Sequence, residues 1–282
     1  MSRQVEAGDG LTVALISDVF FDAEPGVRLR ARLAEARAAG AELAVLPEIP
    51  LNPWSPATTD TRDDDAEEPG GHRHQLLAAA SREVGIGVVG GAIVRDPGDG
   101  HRRNTALVFD ARGKLLATYA KLHLPEEPGF WETSHYVPGT RPPERIDAFG
   151  MPVGVQICSD VNRPEGCHLL GALGAEAILA PRATEQDLYE RWRVVFRANA
   201  MTSSAYVLSV NRPRPEAGVP LGGPSIAVAP DGTVLLETSD SIGIVRLERA
   251  AIAKARTDYP GYLPIRADLY AEAWGAIARQ ED

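Results

Sequence analysis

Cysteine is scarce: Cys158 and Cys167 are the only two in 282 residues. Their spacing matches neither a redox pair nor a zinc-binding set, and a disulfide between a strand end and the helix after it is out of place in a reducing compartment. Long apolar runs are missing too. The longest, Val84 to Val94, is short and broken by glycine, so no membrane span is expected. No Arg/Lys-led apolar leader opens the chain, and the expectation is a cytoplasmic protein with a frayed polar leader before Leu11. Positive charge is in deficit, with 29 basic against 39 acidic residues and a net charge of -10. That balance speaks against nucleic acid or an anionic membrane as partner. There is no GxxxxGK[ST] loop, and Gly85, Gly87, Gly90 and Gly91 do not form a dinucleotide fingerprint. His72 and His74 flank Arg73 without a further Cys or His at ligand spacing, so neither a metal site nor a cofactor is expected. No repeat or linker divides the chain, and one domain over 1–282 is the expectation.

What remains is an alternation of strand and helix, starting with a strand at Leu11–Ile16. A helical pattern over Pro25–Ala39 puts Val27, Leu29, Leu33 and Ala36 on one side, and Gly40 ends it. Leu43–Leu46 is a strand running into Pro47 and Glu48. The stretch from Asn52 to Gly71 reads as a solvated acidic loop, with Trp54 near its base as a wall for a pocket. A helix from His74, a glycine-rich strand, and a hairpin turning at Asp110–Gly113 lead to Lys121. Val153, Val155 and Ile157 alternate toward Cys158, and Pro164 opens a helix whose predicted stripe is Leu169, Leu170 and Leu173. Further strands follow at Ala177–Ala180, Ala205–Val210, Ile226–Ala229, Val234–Glu237 and Ile242–Leu247, with helices at Leu188–Thr202 and Arg249–Arg256.

Glu48, Lys121 and Cys158 each leave the end of an apolar strand, the rim where open α/β sheets bind ligands. Singly, each has a plain structural reading: a loop cap, a surface lysine, a small buried hydrophobe. Together they suggest a thiol nucleophile with a carboxylate and an ammonium. A histidine-based cysteine hydrolase is the rival; His123, two residues from Lys121, would share its face on a strand, but no cysteine-protease signature surrounds Cys158.

The segments LAVLPEIPL around Glu48, YAKLHLPEEPGFWE around Lys121 and VGVQICSDVNRPEG around Cys158 resemble, in order and spacing, the motifs of the nitrilase or carbon-nitrogen hydrolase superfamily. The stretch Glu126 to Glu132, which includes Trp131, is similar to that of its N-carbamoylputrescine amidases. The resemblance implies an α/β fold, a four-layer α-β-β-α sandwich of two mixed sheets with helices outside. It implies Glu48 as general base, Cys158 as nucleophile, Lys121 and the Ser159 N–H as oxyanion donors, and Glu132 as a second acid holding Lys121, whose plain alternative is a salt bridge. The implied activity is hydrolysis of a non-peptide C–N bond in a small amide or N-carbamoyl amine, with an aliphatic amidase, a nitrilase or a non-catalytic scaffold as alternatives. Ser159 stands where many relatives carry an aromatic residue, and Val161, Asn162 and Arg163 depart from the putrescine-type motif. Arg163 or Arg182 is a candidate charge for the substrate, and Glu126 and Glu127 suit a cationic amine tail or are solvated loop acids. The tail from 257 to 282, with Tyr259, Tyr262, Tyr270 and Trp274, packs on the chain's own body or reaches a second subunit of a homodimer or larger homo-oligomer.

Overall fold

Two β-sheets lie face to face in the computed structural model, which describes residues 9–22 and 24–279. The leader expected to fray falls, up to Gly8, outside the described residues. In chain order the elements are β1 (Gly10–Ile16), α1 (Pro25–Ala38), β2 (Leu43–Val45), β3 (Ala66–Glu67), α2 (His72–Val84), β4 (Gly87–Arg95), β5 (Arg102–Phe109) and β6 (Leu115–Ala120). They continue with β7 (Glu126–Glu127), β8 (Phe130–Trp131), β9 (Val153–Val155), α3 (Pro164–Ala172), β10 (Ala177–Pro181), α4 (Tyr189–Ser203), β11 (Tyr206–Val210), β12 (Ser225–Val228), β13 (Val234–Thr238), β14 (Ile242–Glu248), α5 (Arg249–Thr257) and α6 (Ala267–Ala278). The first sheet runs β14-β1-β2-β4-β5-β6 with β3 alongside β4, and the second runs β13-β12-β11-β10-β9. Both are mixed: β1, β2 and β4 are parallel, as are β9, β10 and β11, while the remaining long strands pair antiparallel.

Alternation along each strand divides its side chains between two cores. Val13, Leu15, Val45 and Val108 of the first sheet meet Val155, Leu179 and Leu208 of the second in a shared inner layer. Their neighbours Ala14, Val88 and Leu107 face Leu29 and Leu33 of α1 and Leu77 of α2. On the far side, Ile178, Val207 and Ile226 face Leu170 of α3 and Phe196 of α4. The result is the expected helix-sheet-sheet-helix order, held by side chains whose full burial is worth about 1.5–3 kcal/mol each.

Three expectations are corrected. Val27 is 55% exposed, because α1 instead turns Gly26, Leu29, Leu33 and Ala36 inward. In α3 only Cys167 and Leu170 are buried, while Leu169 and Leu173 lie outward. The acidic loop is also more built than solvated. Asn52 Nδ2 donates to the Asp65 carbonyl, β3 pairs with β4, and the Glu67 carboxylate accepts the backbone N–H groups of Arg73 and His74 at the start of α2. A carboxylate at a helix N-terminus satisfies donors that have no partner within the helix. Asp63 remains 94% exposed by side chain. No helix among the described residues is long and apolar enough to cross a membrane.

Candidate active site

The topology brings three strand ends together. Glu48 follows β2; β6, antiparallel to β5, which is antiparallel to β4, delivers Lys121 to the same rim. There Lys121 Nζ lies 2.8 Å from Glu48 Oε1 and 2.6 and 2.7 Å from the two oxygens of Glu132. All three side chains are fully buried. Asn104 Nδ2 donates to the same Glu48 oxygen at 2.8 Å, leaving Glu48 Oε2 with no hydrogen-bond partner. Burial opposes the charge on Lys121, but Glu132 and Glu48 outweigh it and hold the ammonium well above the usual lysine range. Two carboxylates around one ammonium leave an excess negative charge away from water. Burial, opposed by Lys121 and reinforced by Glu48, accordingly pushes Glu132 up to about 8.

Cys158 opens a short 3-10 turn, Cys158–Asn162, just past β9. Its φ of 47° is left-handed, a conformation that costs a non-glycine residue energy and is kept only where surrounding structure enforces it. The thiol is 4% exposed and donates to the Ala183 carbonyl at 3.6 Å. Burial and the nearby Glu48 push it well above the normal thiol range, with Lys121 opposing, so it rests protonated. Across the site Ile49, beside Glu48, also has positive φ, 37°. For a β-branched residue that is a genuine outlier.

What enforces these turns was not foreseen from the sequence. Asp160, fully buried two residues past Cys158, accepts from the Ile157 N–H and the Tyr119 hydroxyl through Oδ2, and from the Leu122 and His123 N–H groups through Oδ1. One carboxylate therefore ties the nucleophile turn to the segment just after Lys121. Arg212, also fully buried, donates to the carbonyls of Glu48, Ile49 and Asn52 and is neutralised by Glu216. It fixes the Glu48 turn from the other side. A carboxylate two residues past a candidate nucleophile was the available signal for Asp160, and the likeness of the stretch from Ser209 to Arg212 to the family was the one for Arg212; Asn104 had no distinguishing local pattern.

Placement of the other expected residues is uneven. Ser159 is half-buried and its hydroxyl donates to the His123 carbonyl; its N–H lies in the first turn of the 3-10 segment, where such groups lack a partner within the helix. His123 pairs with Asp160 at 2.8 Å and holds no hydrogen bond to Lys121, Glu48 or Cys158. Trp54 does not wall an open pocket: it is buried, edge-on to Phe130, with its indole N–H on the Gly129 carbonyl. Trp131 is half-buried beside Glu132. Glu126 and Glu127 are exposed on β7, and the Glu126 carboxylate is taken by Thr133, so neither joins the buried acids. Asn162 and Arg163 are exposed at the outer end of the turn. Arg182 turns inward, its guanidinium committed to Ser209, Thr184 and the Pro224 carbonyl, so it does not offer the rim charge expected of it. A cleft of about 250 Å³ beside β6, lined by His74, Arg103 and Tyr119 among others, takes in none of Glu48, Lys121, Glu132 and Cys158. Among the described residues no cluster of three or more His, Cys, Asp or Glu is placed to hold a metal ion.

A two-sheet sandwich carrying a thiol, an ammonium and two carboxylates at one rim fits the class of cysteine hydrolases that work without histidine. The chain belongs to the carbon-nitrogen hydrolase family, whose model matches residues 11–257. It is 28% identical over 261 residues to "Hydrolase C26A3.11" of Schizosaccharomyces pombe, covering 89% of this chain and 80% of that one. It is 28% identical over 249 residues to omega-amidase NIT2 of Homo sapiens, covering 84% and 87%. Among solved structures, a carbon-nitrogen hydrolase from Helicobacter pylori superimposes with a TM-score of 0.83 at 19% identity, over 94% of this chain and 98% of that one.

Two predictions follow from the geometry. Asp160→Asn leaves buried N–H groups facing an amide in place of a carboxylate, and should lower unfolding free energy by about 2–3 kcal/mol in urea denaturation; unchanged stability contradicts the role given to it. Glu132 is protonated in the folded protein up to about pH 8 but ionises above its ordinary 4.5 once unfolded. Its contribution to stability is therefore complete below 4.5 and lost as pH rises through about 8. Unfolding free energy should fall across that window, and Glu132→Gln should flatten the fall; identical slopes count against the assignment.

Proposed function

We propose that this protein is a cysteine-dependent amidase that hydrolyses the C–N bond of a small amide, or of an N-carbamoyl amine, through a covalent acyl or carbamoyl enzyme. The observation that carries the reading is the buried ammonium of Lys121 between Glu48 and Glu132, with all three groups bearing on the Cys158 thiol.

In this reading Glu48 takes the proton from the Cys158 sulfur through its unpartnered oxygen, and the thiolate attacks the carbonyl carbon. Lys121 and the Ser159 N–H stabilise the resulting oxyanion. When the intermediate collapses, the C–N bond breaks, the leaving nitrogen takes the proton back from Glu48, and a thioester-type enzyme remains. Water then attacks that carbonyl while Glu48 removes its proton, and collapse of the second oxyanion expels the sulfur, which recovers the proton. Glu132 serves by holding Lys121 in place through both its oxygens.

For substrate, the omega-amidase name of a relative supports a primary amide at the end of a short chain. The likeness of Glu126 to Glu132 to the putrescine-type motif supports an N-carbamoyl amine, less strongly now that Glu126 and Glu127 point to solvent. Two free thiols suit a reducing, cytoplasmic setting. The exposed Tyr262, Ile265, Tyr270 and Trp274 support a homodimer or larger homo-oligomer in which this tail meets a second copy.

Ammonia release from a panel of short primary amides, N-carbamoyl amines, N-carbamoyl amino acids and nitriles tests the proposal. Primary amides should turn over fastest, and Cys158→Ala should reduce turnover roughly ten-thousand-fold. Turnover of N-carbamoyl amines alone would reverse the substrate order, and no turnover of any compound by the folded protein would favour a scaffold.

A further inference from the structure

One buried amide touches both Glu48 and Lys121. Asn104 lies in β5, 2% exposed, opposite Ile93 of β4. Asparagine suits a buried strand poorly, and an apolar side chain there would have no donor or acceptor to satisfy. The Asn104 carbonyl accepts the Lys121 N–H at 2.9 Å, which carries the β5–β6 ladder one residue past Ala120 and fixes where the lysine side chain leaves the sheet. Its side-chain nitrogen donates to Glu48 Oε1 at 2.8 Å, the same oxygen that lies 2.8 Å from Lys121 Nζ. Chemistry settles the orientation of that amide, since a carboxylate only accepts and the amide nitrogen only donates. A carboxylate oxygen offers two lone-pair positions. On Oε1 both are taken, by Asn104 and by Lys121, while Oε2 has no hydrogen-bond partner.

We infer that Asn104 is a positioning residue that selects the working oxygen of Glu48: together with Lys121 it closes Oε1, leaving Oε2 as the oxygen that takes the Cys158 proton. This rests on the reading of Glu48 as the base for Cys158. A proton placed on Oε1 has to displace the ammonium or the amide; a proton on Oε2 displaces nothing. Lys121 alone does not enforce the choice. A single ammonium leaves Oε1 with a free lone pair and leaves the carboxylate free to turn about its terminal torsion, which is broad in glutamate. The second hydrogen bond comes from β5, a different element from the one that delivers Lys121, and removes that freedom. The charged groups around the Asn104 amide are Glu48, Lys121 and Glu132. Arg103, next along β5, points to the other face of the strand, where Asp96 and Asp99 hold it.

The test is steady-state hydrolysis by the full chain and two variants, followed against pH with the compound of the amide and N-carbamoyl amine panel that turns over fastest. Asn104→Leu, which keeps the bulk and removes the donor, should lower kcat about tenfold to a hundredfold and leave KM within about twofold, because the interaction matters only while the proton moves. Asn104→Asp keeps the shape but sets a second carboxyl against Oε1. When that carboxyl is ionised the donor is lost and like charges face each other; when one proton is shared between the two, an O–H donor stands where the amide stood. Relative to the unaltered protein at each pH, its deficit in kcat should therefore shrink about fivefold or more between about pH 8 and about pH 5. A purely structural role gives a deficit that does not change with pH. A loss of kcat under about threefold in Asn104→Leu, a loss carried by KM instead, or a pH-independent deficit in Asn104→Asp overturns the role of Asn104 and leaves Glu48 standing as the base. The split between kcat and KM in Asn104→Leu decides the matter even if Asn104→Asp does not fold. No turnover of any compound by the folded, unaltered protein overturns the amidase reading, and this inference with it.

Discussion

The contact between Lys121 and its two carboxylates, sealed from water, is the constraint that the rest of the site obeys. An ammonium and two carboxyl groups are each expensive to bury, and breaking such a set by removing one member leaves an uncompensated charge. The set survives because both oxygens of Glu132 and one of Glu48 converge on one nitrogen, with Asn104 completing the shell. The arrangement leaves one Glu48 oxygen unpartnered. In the proposed reaction that oxygen is the one left free to take the Cys158 proton.

Holding three strand ends in register takes more than the sheets supply. Cys158 and Ile49 both adopt left-handed backbone, and each strained turn is tied by a buried charged side chain. Asp160 gathers donors from the Cys158 turn and from the segment after Lys121. Arg212 binds three carbonyls around Glu48. The strain sits at Cys158 and beside Glu48, and the hydrogen bonds that maintain it sit one layer behind. Functional sites commonly store strain in this way.

Much of this was legible in the chain because strand patterning is local. The runs before Glu48, Lys121 and Cys158 identify themselves by their apolar alternation, and the position of a charged or nucleophilic group at a strand's end follows at once. The layer order was expected from the resemblance of the three motifs to the carbon-nitrogen hydrolases, because strand patterning by itself does not say what covers each face. The burial of Arg182 was not legible: it depends on which way the residue after β10 turns, and its partners Ser209 and Pro224 lie far along the chain. Val27, Leu169 and Leu173 misled because apolar residues at helical spacing say where a stripe can form, while the packing of α1 and α3 decides which edge of it faces the sheet. The acidic loop misled by composition, since Glu67 among its charges is the partner of α2's first N–H groups.

The central claim is that the Cys158 sulfur becomes covalently joined to the carbonyl carbon of the substrate. Intact-protein mass spectrometry after rapid acid quench, with a short primary amide in excess, reads this directly. The account predicts a mass gain equal to the acyl group, mapped to the peptide containing Cys158 and absent from Cys158→Ala. Steady ammonia release with no such adduct on Cys158, or an adduct on another residue, would contradict it.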